Sequence, residues 1–132
     1  MVDSCARPSS YAWKASLAQA DRLSGQAERV HKFLSRARGP LQRLLAPQGL
    51  LERRRAEVGD LFEMVLLYNR GVCRGPSPAS IRMAVAGLHY LTSPVRVRDL
   101  LLGREPSQDV LDYVLCAVDG DLADFRGWRA AR

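Results

Sequence analysis

Ala79-Ser80-Ile81-Arg82-Met83-Ala84-Val85-Ala86-Gly87-Leu88-His89-Tyr90-Leu91 is the stretch whose reading decides the fold. Its only strongly polar interior members, Arg82 and His89, stand seven apart, so at 3.6 residues per turn they share one stripe of a helix. A helix apolar around the rest of its circumference is buried among neighbours. It is also well short of the ~20 residues that span a bilayer. The segment 79–91 is therefore expected to be the central helix of a helical core. Ser77 is a suitable N-cap and Pro78 suits the first helical position, while Thr92-Ser93-Pro94 breaks the helix.

Working outward, no segment sustains the alternation of a strand, and the apolar residues recur at three and four. On the N-terminal side, Ser9-Ser10 predicts the start of a helix running to about Arg38, where Gly39-Pro40 stops it. Trp13, Leu17, Ala20, Leu23, Ala27, Val30 and Leu34 form its apolar face. Lys14, Arg22, Arg29, Lys32 and Arg36 fall together on the opposite face. A short helix Pro40–Ala46 follows, with Leu41, Leu44 and Leu45 inward, and a third helix runs from about Leu50 to Asn69, presenting Val58, Leu61, Phe62, Val65 and Tyr68 to the core. On the C-terminal side, Val95–Leu102 reads as a short helix or extended connector. Gly103 to Ser107 then leads into one last helix carrying Leu111, Val114, Leu115, Val118, Leu122 and Phe125, with Trp128 near its end. The expectation is an all-α, single-domain bundle of about five helices. In it residues 1–8 are flexible, 9–58 form basic N-terminal helices, and 59–132 form the remaining half.

Residues 64–128 resemble the YkvA-like family of small bacterial domains of unknown function. The resemblance is carried by Leu67-Tyr68-Asn69-Arg70-Gly71, by the apolar helix ending Leu88-His89-Tyr90-Leu91-Thr92-Ser93-Pro94, and by Gln108-Asp109 at the entry to the last helix. The family pattern is Tyr-x-x-Ser-Pro with an Asp two residues on, a Pro-Asp step, and a Gly-x-x-Asp-Asp at the next helix. Tyr90, Ser93 and Pro94 match. Arg96 stands where the first Asp belongs, Asp99 falls near the Pro-Asp step without matching it, and only Asp109 of the paired acids remains. The resemblance implies a helical fold with a Ser-Pro break between core helices, and no reaction.

The 132 residues carry 20 Lys+Arg against 14 Asp+Glu, a net +6, with 47% hydrophobic residues. That balance fits a folded domain and excludes wholesale disorder or a collagen-like chain. Only Lys14 and Lys32 are lysines, an arginine bias that a GC-rich genome also produces. The charge is polarised. Residues 1–58 hold eleven Lys/Arg and five acids, 59–132 hold nine of each, and 105–125 hold six acids and no cation. Cys5, Cys73 and Cys116 are odd in number and widely spaced, which points to a reducing compartment. The N-terminus lacks an apolar run, so a cytoplasmic protein is expected.

The basic face of the first helix is the leading candidate for function: Arg22, Arg29, Lys32 and Arg36, with Phe33 beside them for stacking and Arg53, Arg54 and Arg55 as a second cluster. The same residues also fit a plain solvated outer face. Docking of an acidic partner protein is the expected function, with binding of nucleic-acid phosphates as the alternative and attachment to a membrane surface disfavoured. Asp109, Asp112, Asp119, Asp121 and Asp124 lack the trailing Glu of a calcium loop; pairing with the Arg-rich segment suits them better. His31 and His89 read as packed histidines and Cys73 and Cys116 as small core residues. No catalytic residue, metal or cofactor is expected.

Overall fold

The computed structural model describes residues 7–8, 10–94, 96, 99, 101–102 and 107–132. The protein is all-helical, and among the described residues it has six α-helices: α1 (Tyr11–Leu23), α2 (Ala27–Leu45), α3 (Arg55–Asn69), α4 (Pro78–Thr92), α5 (Ser107–Ala117) and α6 (Asp119–Ala130), with a 3-10 turn at Glu52–Arg54 before α3. No described helix is long and apolar enough to cross a membrane. The expectations for Ser9, for Val95–Leu102 and for Gly103–Pro106 fall wholly or largely outside the described residues, as does most of 1–8.

Helix α4 packs against α1, α2, α3 and α5. Its start follows local chemistry: the Ser77 hydroxyl accepts from the Ser80 N–H at 3.1 Å, and Pro78 occupies the first turn, where a missing N–H costs nothing. Ala84 to Leu88, Tyr90 and Leu91 are buried. Its polar stripe faces α1, where Arg82 meets Asp21 at 2.8 Å and His89 meets the Ser16 hydroxyl at 2.8 Å. Sequence number rises along α1 as it falls along α4, so the two helices run antiparallel.

The structure alters the predicted helix boundaries in four places. The first helix does not continue to Arg38. Its 3–4 spacing is unbroken through Leu34, yet Gly25 sits at φ +74°, a conformation only glycine adopts freely, and ends α1 there. Ala27, on the predicted apolar face, is exposed as a result. Pro40 in turn lies inside α2 rather than stopping it. One of a proline's clashes is with the Cβ of the preceding residue, and Gly39 has none. The lost backbone bond is offset by burial of Leu34, Ala37 and Leu41 on one face. The helix expected from Leu50 opens as the 3-10 turn and becomes α-helical at Arg55, and the last helix is two, divided at Val118.

Two contacts fix how the C-terminal helices sit. Asp60 on α3 accepts from Arg126 and Arg129 on α6 at 2.7 and 2.8 Å. Burial alone would raise its carboxyl pKa, but the two guanidinium hydrogen bonds outweigh that and hold it below the ordinary value. At the α4–α5 crossing, a Cβ placed on Gly87 would lie 2.9 Å from a methyl of Val114, which is itself fully buried. Substitution Gly87→Ala therefore sets an overpacking cost of ~1–3 kcal/mol against a helix-propensity gain of ~1 kcal/mol. We expect net destabilisation in urea unfolding, larger for Gly87→Val, and partial recovery in the double variant Gly87→Ala with Val114→Ala. A Gly87→Val protein as stable as the parent would rule out this close approach.

Cys73 is a buried free thiol in the core, as expected. Cys116 departs from expectation: it is disulfide-bonded and only half-buried, so it is not simply a small core residue, and a disulfide runs against the reducing compartment read from the cysteine spacing.

Candidate anion-binding groove

The break at Gly25 determines how the basic residues are arranged. On one continuous helix, Arg22, Arg29, Lys32 and Arg36 would form a straight row. With the chain turned at Ser24–Gln26, Arg22 comes from the end of α1 and the other three from α2, and all four line one open groove of about 540 Å³. Phe33, Leu23, Ala37 and Gln19 line it from the same two helices, and His89, Thr92, Ser93 and Pro94 close it from the end of α4. Lys14, predicted to share the face, is exposed and lies outside the groove.

No acid among the described residues lines the groove. Among the described residues, none of the four cations forms an ion pair, hydrogen bond or ring contact. Most other arginines are engaged: Arg82, Arg126 and Arg129 pair with acids, and Arg38, Arg74 and Arg132 lie over Phe62, Tyr68 and Trp128. Four like charges around one concavity repel one another and raise the local potential. An anion entering it relieves that repulsion.

The second predicted cluster does not join the groove. Arg54 donates to Glu57 at 2.6 Å, Asp112 at 2.8 Å and Gln108 at 2.8 Å, tying the start of α3 to α5. Arg55 donates to the Leu45 carbonyl at 2.7 and 3.0 Å, satisfying a carbonyl at the end of α2. Arg54 and Arg55 thus serve the fold, since three arginines in succession cannot share a face with the α2 row. Arg53 is exposed and away from the groove.

The acids of the last two helices are spread out. Asp112 is held by Arg54, and Asp121 accepts from the Ser77 N–H at 3.0 Å across from α4. Hydrogen bonds from Ser80 and Ser77 hold Asp121 below the ordinary carboxylate value. Asp109, Asp119 and Asp124 are exposed. Among the described residues no three His, Cys, Asp or Glu side chains group as metal ligands. Asp99, the near-match to the family pattern, is buried and accepts from the Tyr90 hydroxyl at 2.7 Å.

His89 is the titratable groove residue that sequence reading did not place there. Its signal was a polar residue interrupting an apolar helix, which fits a packed histidine equally well. Its ring centroid is 6.0 Å from that of Phe33 with a 33° tilt, and its Nδ1 lies 2.8 Å from the Ser16 Oγ. Ser16 is fully buried, so this hydroxyl cannot meet a substrate as a nucleophile would.

Burial lowers the His89 pKa from its ordinary value near 6.5. The unfolded chain therefore takes up a proton before the folded one does, and stability falls as pH drops below about 6.5 and through the folded value. Urea midpoints measured from neutral to mildly acidic pH are expected to decline less in His89→Gln, which keeps a hydrogen-bonding partner for Ser16 without titrating. Equal slopes for parent and variant would remove His89 from that role.

No family model matches this chain, and neither the curated proteins nor the solved structures compared with it give a match.

Proposed function

We propose that this protein is a non-enzymatic helical binding protein that docks an acidic partner protein, with Arg22, Arg29, Lys32 and Arg36 meeting the partner's carboxylates. The observation that carries this reading is the convergence of four cations, unpaired among the described residues, from two helices on one groove whose described lining contains no acid. Arginine supports it further, because its planar fork takes a carboxylate through two parallel hydrogen bonds.

The groove's shape favours a protein segment over a phosphate backbone. Duplex nucleic acid presents charge every ~1.7 Å along a long axis, which suits a stripe of cations. Here the cations surround a single concavity whose floor is aromatic and aliphatic. Exposed ion pairs contribute only ~0.2–1 kcal/mol each, so four of them orient a partner and speed its arrival more than they hold it.

The test is fluorescence anisotropy on the full chain, with a labelled Glu/Asp-rich peptide and a labelled oligonucleotide as probes, from low to physiological salt. The acidic peptide is expected to bind more tightly, with affinity declining as salt rises. Tighter oligonucleotide binding with a steep log-linear salt slope would assign the groove to phosphates. No binding of the acidic peptide at low salt would overturn the docking reading.

A further inference from the structure

The groove has two unlike parts. Its rim is cationic and solvent-exposed, while its floor holds the half-buried rings of Phe33 and His89 with Leu23 and Ala37 beside them. Burial disfavours the charged form of His89, so at neutral pH the floor carries no charge of its own. A partner offering carboxylates alone would touch the rim and leave the floor wet.

We infer that the partner segment carries one large aromatic side chain between its carboxylates, which seats on Phe33 and His89 while the carboxylates meet the arginines around it. This rests on the docking reading above and specifies its partner. Three observations support it. The Phe33 and His89 rings, 6.0 Å apart and tilted by 33°, form an open aromatic corner. An incoming ring can take an edge or offset contact there at the usual centroid spacing.

Elsewhere the chain repeatedly places a guanidinium over an aromatic ring: Arg38 over Phe62, Arg74 over Tyr68, Arg132 over Trp128, at 4.7 to 5.5 Å. The groove arginines have no such ring within the described chain, so an aromatic anchor would supply one. Finally, binding energy in interfaces concentrates in a desolvated aromatic anchor ringed by polar contacts, and an apolar floor inside a charged rim is the receiving half of that arrangement.

The experiment uses the full chain and three labelled peptides of equal length: acidic with a central tryptophan, acidic with alanine in its place, and the tryptophan peptide with its acids changed to Gln and Asn. The acidic tryptophan peptide is expected to bind about tenfold or more tighter than either of the others. Phe33→Leu, which preserves apolar packing, is expected to narrow the tryptophan-to-alanine ratio without removing the salt dependence. Equal binding of the two acidic peptides would overturn the anchor and leave the docking reading standing. Failure of both to bind at low salt would overturn both. Because the peptide comparison is made on the unsubstituted protein, it holds even if the Phe33 variant folds poorly.

Discussion

Replacement of Trp13 by alanine is expected to destabilise the protein by roughly 3–5 kcal/mol, the range for removing a large aromatic from a core. Trp13 is fully buried. Its ring makes edge contacts with Tyr90 on α4, at a centroid distance of 6.4 Å, and with Tyr113 on α5, at 6.0 Å. One side chain thus joins the first helix to the central helix and to the helix beyond it, and its loss opens a cavity that three rigid elements cannot close. For a domain stable by ~5–15 kcal/mol, that is a large share.

Among the described residues the buried Trp13 Nε1 has no hydrogen-bond partner, an arrangement that itself carries a cost of ~1–3 kcal/mol. Trp13→Phe removes that unsatisfied donor along with part of the ring, so it is expected to cost much less than Trp13→Ala. Urea unfolding followed by circular dichroism measures both. A loss below ~1 kcal/mol for the alanine variant would contradict the place given to Trp13 in the core.

The second large effect concerns binding. The double substitution Arg29→Glu with Arg36→Glu turns four cations around the groove into two of each sign, so attraction gives way to a balance in which carboxylates meet like charge. Acidic-peptide affinity is expected to fall on the order of 100-fold at low salt, since like charges juxtaposed at an interface cost several kcal/mol and 1.4 kcal/mol is a factor of ten. Helical content and urea midpoint are expected to stay near those of the parent, because both side chains are exposed and make no hydrogen bond among the described residues.

Arg53→Glu is the control for net charge. It makes half the charge change of the double variant on an exposed arginine outside the groove, and a fall of only a few-fold is expected from the altered net charge. If Arg53→Glu weakens binding as much as the double variant does, the groove has no special part in it and only the overall charge matters.

Arg54→Glu would be a poor control, and the reason bears on what sequence can reveal. Arg53, Arg54 and Arg55 are indistinguishable as a run of letters. In the structure Arg54 bridges α3 to α5, Arg55 closes the end of α2, and Arg53 projects into water. Partners 10 and 58 residues away decide those roles, and no local pattern records them. The Arg22, Arg29, Lys32, Arg36 set was legible because its 3–4 spacing is itself a statement about a surface. Whether that surface is a row or a groove was not, because it turns on one glycine at positive φ.

Sequence by itself determined the helical class, the capped start of α4 at Ser77-Pro78, and most of the apolar positions that face inward, Ala27 excepted. These follow from hydrogen bonding and periodicity within a few residues, which the chain satisfies wherever it lies in the fold. Only tertiary structure decided that Gly25 rather than Gly39-Pro40 ends the first helix, that His89 joins the floor of a basic groove, and which arginines are left unpaired. Each depends on competition between distant groups. A proline's lost hydrogen bond is outweighed by burial of Leu34, Ala37 and Leu41, and a guanidinium is satisfied or left free according to whether packing brings an acid within reach.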